Sequence, residues 1–362
     1  MKILMLMKTM RLDGGVETSV ASIVNELYLQ SHDVFIASFS EKEGDMLKFR
    51  LNIPNNKIIY LGNLGNKYIS KIYILRRILR KGNFDIIHTH LFHAGVVGRV
   101  ATAGLRCSTV ATEHSTFFNW WRWYHYMIDK ILSHKTASHI AVSRSVAATL
   151  AARTGILPNK IIVINNAVDT SRFRFKEESE SNKSIKNILL VGRLEYSKNI
   201  DFAIKIFKKL LLQNPSITLT ISGSGSQKRI LEDICSKEYI AENIKFIGVV
   251  KDMPLLMRKM DALFLSSHWE GCPMTIIEAF STGLPVIATS VPGIIDIVSD
   301  KITGILLKPN DIEGSVNKIS EFLKNQKLQK EIIENAKKES LEFTPQKIIN
   351  EIINVYTSII KS

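Results

Sequence analysis

Short apolar runs alternate with stretches of helical spacing along the whole chain. In the first half the runs are Ile3–Met7, Val34–Ala37, Lys57–Tyr60, Asp85–His88, Thr109–Ala111, Ile140–Val142 and Ile161–Ile164. Each is short, mostly β-branched and bounded by polar or turn residues, as strands buried on both faces of a parallel sheet are. Between them, Val16–Gln30 carries Val16, Val20, Ile23, Val24 and Leu27 at helical spacing. The alternation breaks at Asp169–Lys186, which is polar, charged and poor in hydrophobic residues, the mark of a linker or boundary loop. It then resumes with Ile188–Val191, Ile217–Ile221, Lys245–Ile247, Ala262–Leu265, Pro285–Ala288 and Gly304–Leu307. The pattern predicts an α/β protein of two Rossmann-like, doubly wound parallel-sheet domains, 1–170 and 171–344. A final amphipathic helix over 345–362 carries Ile348, Ile349, Ile352, Val355 and Ile359.

Composition agrees with this picture and narrows the partners. The 362 residues are 45% hydrophobic and 23% charged, enough to bury two ordinary cores. The apolar start Met1–Met7 is too short for a signal-peptide core and is followed by Lys8 and Arg11. No stretch approaches the roughly 18 unbroken apolar residues of a membrane-spanning helix. Cys107, Cys235 and Cys272 are far apart and lack metal-ligand spacing, so a reduced, cytoplasmic protein is expected. The net charge of +14 is uneven: residues 1–170 hold 21 Lys and Arg against 11 Asp and Glu, and the remainder 27 against 23. A surplus on one half suggests an anionic partner such as a lipid surface, a phosphorylated acceptor or nucleic acid; a basic but merely soluble surface is the plain alternative.

Candidate chemistry concentrates after predicted strands. The segment from Glu270 through Pro273, Met274, Thr275 and Glu278 to Thr289 reads as loop, helix and strand. Pro273 suits the first helical position, leaving the amides of Met274, Thr275 and Ile276 open to a diphosphate. Glu278 suits the hydroxyls of a ribose, and Glu270 lies nearer the reacting end; as surface carboxylates on an ordinary βα unit both would be inert. Arg193 and Lys198, five residues apart after Ile188–Val191, suit a clamp on phosphate oxygens or are two solvated side chains. Gly14 and Gly15, between the first strand and helix, permit close backbone approach to a ligand. They do not form GxGxxG, and no acidic residue stands at the right place for a nicotinamide cofactor. His88 and His90 share one face of a strand and Glu113-His114 follows the next. A metal pair lacks a third ligand of suitable spacing, so a structural or substrate-contacting role is expected, with His114 the better candidate for touching a sugar or phosphate.

Taken together these residues resemble the retaining glycosyltransferase family 4, of the two-domain GT-B kind. The resemblance covers nearly the whole chain: Gly14-Gly15, Asp85–His90, Glu113-His114, Ala141–Ser143, Asn165–Asp169, Val191–Asn199, Gly223–Gly225, Phe246–Val250 and Glu270–Thr289, the last carrying the family's Glu-x7-Glu signature. It implies that Arg193 and Lys198 bind the donor diphosphate, that Glu278 binds the ribose and that the backbone near Val250 meets the base. It implies that Glu270 and the following amides hold the transferred sugar, that His114 and Gly15 approach sugar and phosphate across an interdomain cleft, and that the last helix returns to the first domain. Anomeric configuration would be retained with no metal or cofactor required, the leaving diphosphate being neutralised by Arg193, Lys198 and helix-start amides. Ala167 stands where the family usually has Gly, Pro292-Gly293 replaces paired glycines, and Asp296 stands where Glu is common. The last two departures blur which sugar is bound.

The acceptor is expected on the basic N-terminal half, with Gly14, His90 and Trp121 as candidates. Lys67–Lys81 has an apolar stripe and six basic residues, and Phe117–Met127 packs seven aromatics, three of them tryptophan, into eleven positions. Tryptophan and tyrosine beside cations suit a membrane interface, which points to peripheral attachment at the inner leaflet and a saccharide or lipid-linked saccharide acceptor in bacterial surface-polysaccharide synthesis. An amphipathic core helix with an aromatic acceptor loop is the alternative. UDP is the expected donor nucleotide because it is the family's commonest. A nucleotide-sugar epimerase or phosphorylase of the same fold remains open; nucleic-acid binding lacks a recognisable motif.

Overall fold

The computed structural model describes residues 1–10, 14–41, 47–62, 68–116, 122–170, 172–175 and 184–361. They form two compact units, 1–167 with 344–362, and 168–343.

The first unit is a seven-stranded parallel sheet in the order β3-β2-β1-β4-β5-β6-β7. Its strands are β1 (Lys2–Met7), β2 (Asp33–Ser38), β3 (Ile58–Tyr60), β4 (Ile86–His90), β5 (Ser108–Glu113), β6 (Ser138–Ala141) and β7 (Ile161–Val163). One face buries α1 (Gly15–Leu29) and the final helix α12 (Pro345–Lys361), with Ile348, Ile349, Ile352, Val355 and Tyr356 in the same apolar cluster as Ile3, Met5, Val20 and Val24. The other face buries α2 (Tyr68–Gly82) and α3 (Leu91–Ala101) through Leu75, Leu79, Ala94 and Val97. On from α3 lie α4 (Trp123–Ser133) and α5 (Arg144–Thr154).

The second unit repeats the plan with six parallel strands, β10-β9-β8-β11-β12-β13. They are β8 (Asn187–Val191), β9 (Thr218–Ser222), β10 (Ile244–Gly248), β11 (Ala262–Leu265), β12 (Val286–Thr289) and β13 (Ile305–Leu307). Helices α6 (Ile200–Gln213), α7 (Lys228–Lys237), α8 (Met253–Lys259), α9 (Met274–Thr282), α10 (Ile312–Lys324) and α11 (Gln326–Ser340) cover it. Its core runs from Leu190, Ile204 and Phe207 through Phe264 to Ile319 and Phe322.

Each apolar run of the sequence becomes a strand, with ends shifted by one or two residues. One two-residue shift has a consequence: β4 runs on through Thr89 to His90, and both polar side chains are buried. Half of the polar boundary segment lies outside the described residues, as does Trp121. The three cysteines are buried free thiols.

Candidate active site

In each sheet successive crossovers wind in opposite directions on either side of one strand pair, and ligands of doubly wound folds bind above the carboxyl ends of that pair. In the second unit the pair is β8 and β11. The loop leaving β8 carries Arg193 and a 3-10 turn over Tyr196–Lys198, and ends at Asn199, a non-glycine residue at φ 45° that starts α6. The loop leaving β11 carries Ser266, Ser267 and Glu270.

The two loops are fastened to each other. Lys198 Nζ donates to Glu270 Oε1 at 2.6 Å, and Ser267 Oγ donates to the same oxygen at 2.6 Å. Ser266 Oγ donates to the Lys198 carbonyl at 2.8 Å, Thr289 Oγ1 to the Ser267 carbonyl at 2.7 Å, and the His268 amide to the Ser197 carbonyl at 2.9 Å. The ion pair is mostly buried, with side chains 21% and 11% exposed. At that depth a charge-assisted bond has little competition from water. The sequence suggested Lys198 as part of a phosphate clamp; its ion pair with Glu270 is an addition that the sequence did not show. Ser266, Ser267 and Thr289 went unrecognised in the sequence, although paired hydroxyls at the end of a buried strand were a legible signal.

The other expected donor residues of this unit lie on the same β8 loop, just beyond β10 and on α9. Arg193 is exposed on the same loop. Ser226 donates twice to its neighbour Glu195, which, with Arg193 nearby, holds that carboxyl below its usual range. Val250 is half-buried just beyond β10, whose end is tied to β9 by the Gly223 amide donating to the Gly248 carbonyl at 2.9 Å. Glu278 and Thr275 are half-buried on α9 and Met274 is buried. Pro273 corrects the sequence reading. It is the residue before the helix, at φ −70° and ψ 107°, and its carbonyl accepts the Ile276 amide at 3.1 Å. Only the amides of Met274 and Thr275 therefore remain at the helix start without an intrahelical acceptor. Gly293, the surviving glycine of the departed pair, sits at φ 84° where a Cβ would lie 2.4 Å from the Glu270 carbonyl oxygen. The close approach that matters is thus preserved.

In the first unit the corresponding pair is β1 and β4. Gly14 and Gly15 open α1 beyond β1, with no side chain capping the helix. His90 ends β4 and His114 follows β5. His90 Nδ1 and His114 Nε2 lie 3.1 Å apart, one N–H donating to the bare nitrogen of the other. His90 precedes Leu91, a leucine at φ 69°; that left-handed turn costs about 1–2 kcal/mol and aims the strand end at its neighbour. His90 Nε2 and His114 Nδ1 are buried and have no hydrogen-bond partner among the described residues. His88 is different in kind. Its ring nitrogens engage the hydroxyls of Tyr356 and Thr112, each at 2.6 Å, so it joins α12 to the sheet. Burial pushes His88 and His114 down to about 3, and His90 well below its ordinary value; all three are neutral at pH 7. With both His88 nitrogens committed, the imagined His88–His90 metal pair is not formed, and among the described residues no group of three or more His, Cys, Asp and Glu is placed to hold a metal.

Behind His114 runs a buried ion network with no sequence signal. The His114 amide donates to Glu113 Oε1, Arg153 binds Glu113 Oε2 at 2.7 Å and Asp129 Oδ2 at 2.9 Å, and Arg99 binds Asp129 Oδ1 at 2.8 Å.

Comparison with known proteins decides the family. Residues 13–172 match Glycosyltransferase Family 4 and residues 171–339 match Glycosyl transferases group 1. The chain belongs to the family 4 glycosyltransferases. It is 27% identical to a 41.2 kDa protein of the cps region of Klebsiella pneumoniae, over 96% of this chain and 97% of the other. It is 28% identical to an Escherichia coli UDP-Gal:α-D-GlcNAc-diphosphoundecaprenol α-1,3-galactosyltransferase over 69% of each. The crystal structure of Anabaena Alr3699/HepE in complex with UDP-glucose shares its fold at a TM-score of 0.85 and 21% identity, covering 99% of both chains. The fold is GT-B, and this glycosyltransferase carries the Lys198–Glu270 pair at the strand crossover of its second unit.

Proposed function

We propose that this glycosyltransferase moves a sugar from a UDP-sugar, with retention of anomeric configuration, to a saccharide acceptor carried on a lipid, in the building of a surface polysaccharide. The observation that carries the reading is the Lys198–Glu270–Ser267 cluster at the carboxyl ends of β8 and β11, on the loop that leads into α9, where the amides of Met274 and Thr275 lack an intrahelical acceptor. In this assignment a diphosphate takes the helix-start amides together with Arg193 and Lys198. As phosphate oxygens approach Lys198, Glu270 shares its cation and turns an oxygen toward the sugar's hydroxyls. Glu278, one turn further along α9, takes the ribose, and Val250 lies by the base. Negative charge on the departing diphosphate is stabilised by fixed donors, so the reaction needs no metal. His114, a neutral imidazole with Nδ1 unengaged, is assigned to a hydroxyl of the transferred sugar, and Gly15 to a close backbone contact. The UDP-galactose donor and diphosphoundecaprenol-borne acceptor in the name of the E. coli relative, and the UDP-glucose held by the Anabaena structure, support the choice of UDP and of a lipid carrier.

Thermal-shift titration with UDP, GDP and ADP tests the donor assignment. UDP raises the unfolding temperature of the wild type by mass action, and Lys198→Ala and Glu278→Ala abolish the rise. In turnover with acceptor, Lys198→Ala lowers kcat/KM by about 10²–10³, chelator changes nothing, and the product keeps the donor's anomeric configuration by NMR. A protein indifferent to all three nucleotides overturns the assignment; UDP release and sugar rearrangement without acceptor would make it an epimerase.

A further inference from the structure

Helix α4 is built inside out. Along one side, at four-residue spacing, lie His125, Asp129 and Ser133, of which Asp129 and Ser133 are each 2% exposed. Along the other lie Trp123, Met127 and Ile131 at 73%, 53% and 60% exposure, flanked by exposed Tyr124 and Ile128. An ordinary surface helix buries its apolar stripe and wets its polar one. Here the polar stripe is fastened inward: Asp129 receives Arg99 at 2.8 Å and Arg153 at 2.9 Å, and Arg153 goes on to Glu113. Taking these charges out of water is costly and adds little net stability; what the network achieves is to fix which way the helix faces. The apolar side is thereby held out against the solvent.

The chemistry of that side specifies one occupant. Between positions 114 and 160 the sequence has a single acidic residue, Asp129, and it is consumed inside. The charges exposed around the apolar stripe, Arg122, Lys130 and Lys135, are all positive. Tryptophan and tyrosine with aliphatic neighbours and a cationic rim match the boundary between lipid headgroups and acyl chains. By contrast α2, the other basic amphipathic segment, buries Leu75 and Leu79 in the sheet's core, and its Arg76 is spent on the carbonyls of Ala101 and Ala103.

We propose that the outward face of α4 is the surface by which this protein lies on an anionic lipid bilayer. The inference names a partner for the acceptor side of the function proposed above, yet stands without it. Through Asp129, Arg153 and Glu113 the membrane-facing helix is tied rigidly to the amide of His114, so a bilayer beneath α4 has a fixed position relative to the carboxyl end of β5.

The test is flotation of the full chain with vesicles of phosphatidylcholine plus phosphatidylglycerol. Wild type floats with these at low salt, less at high salt as screening sets in, and does not float with phosphatidylcholine alone. Met127→Glu with Ile131→Glu weakens binding roughly tenfold or more, as does Arg122→Glu with Lys130→Glu, whereas Leu212→Glu on exposed α6 leaves it unchanged. Unaltered melting temperatures show that the variants are folded, and an unaltered UDP shift shows that failure here is separate from failure of the donor reading. No flotation of the wild type, or loss with Ile69→Glu on α2 but not with the α4 variants, overturns the proposal. So does a sedimentation dimer abolished by Met127→Glu with Ile131→Glu, which would make the occupant a second copy.

Discussion

At the scale of single residues, the second unit is organised by atoms that leave no space for change. Gly223 follows β9 at φ 148°, and a Cβ built there would stand 1.8 Å from the backbone oxygen of Gly192. Neither backbone can retreat, since the Gly192 amide donates to the Ser222 carbonyl and the Gly223 amide to the Gly248 carbonyl. Gly223→Ala therefore costs about 3 kcal/mol or more from strain and displaced backbone, seen as a lower denaturation midpoint with a weakened UDP response, because the loop carrying Lys198 starts at Gly192. An unchanged midpoint would mean that the turn is free to rearrange. The glycines themselves were legible in the sequence, but not their mutual contact. Glu270 and Lys198 were likewise singled out separately. That they bind each other follows only once β8 and β11 are neighbours.

At the scale of elements, the final helix gives the clearest case. Its apolar spacing predicted an amphipathic helix, and its buried face is the predicted one apart from Ile359, which is only partly buried. The sequence left unread the role of Tyr356, whose hydroxyl meets His88 Nδ1 at 2.6 Å across 268 residues of chain. Tyr356→Phe keeps the ring's packing and strands a buried imidazole nitrogen, a loss of about 1–3 kcal/mol, measured as a drop in the unfolding free energy of the first unit. A loss near zero would show that the nitrogen finds another partner. Helix α9 teaches the converse. A proline at a helix start was the correct signal, but its position by one residue decided that the Ile276 amide is capped and not open to a ligand.

At the scale of the whole molecule, charge and titration matter. No helix among the described residues is long and apolar enough to cross a membrane. The histidines set an acid limit. His88 and His114 titrate near 3 in the folded protein because burial disfavours the charged ring, against about 6.5 unfolded. Between those values the unfolded chain binds protons that the native state refuses, so stability rises with pH there. The contribution is complete above about 6.5 and is lost progressively as pH falls toward 3. Chemical denaturation across this window should show a steadily falling midpoint, and His114→Asn a shallower slope; a pH-independent wild type would mean that the cluster is hydrated or charged.

The sequence alone determined the parallel strands and their alternation with helices, the two α/β units, and the Glu270–Glu278 segment, because burial of a strand or helix face imprints a local period on the residues that form it. Only the tertiary structure decided the strand orders, and with them the two crossover points, the meeting of Lys198 with Glu270, the His88–Tyr356 link and the Arg99–Asp129–Arg153–Glu113 network. The direction in which α4 faces also belongs here, since Asp129 is turned inward by arginines on α3 and α5. Such contacts join residues 24 to 268 positions apart, and no local period records them. They depend on which strands lie side by side, and that is settled by the packing of the whole unit.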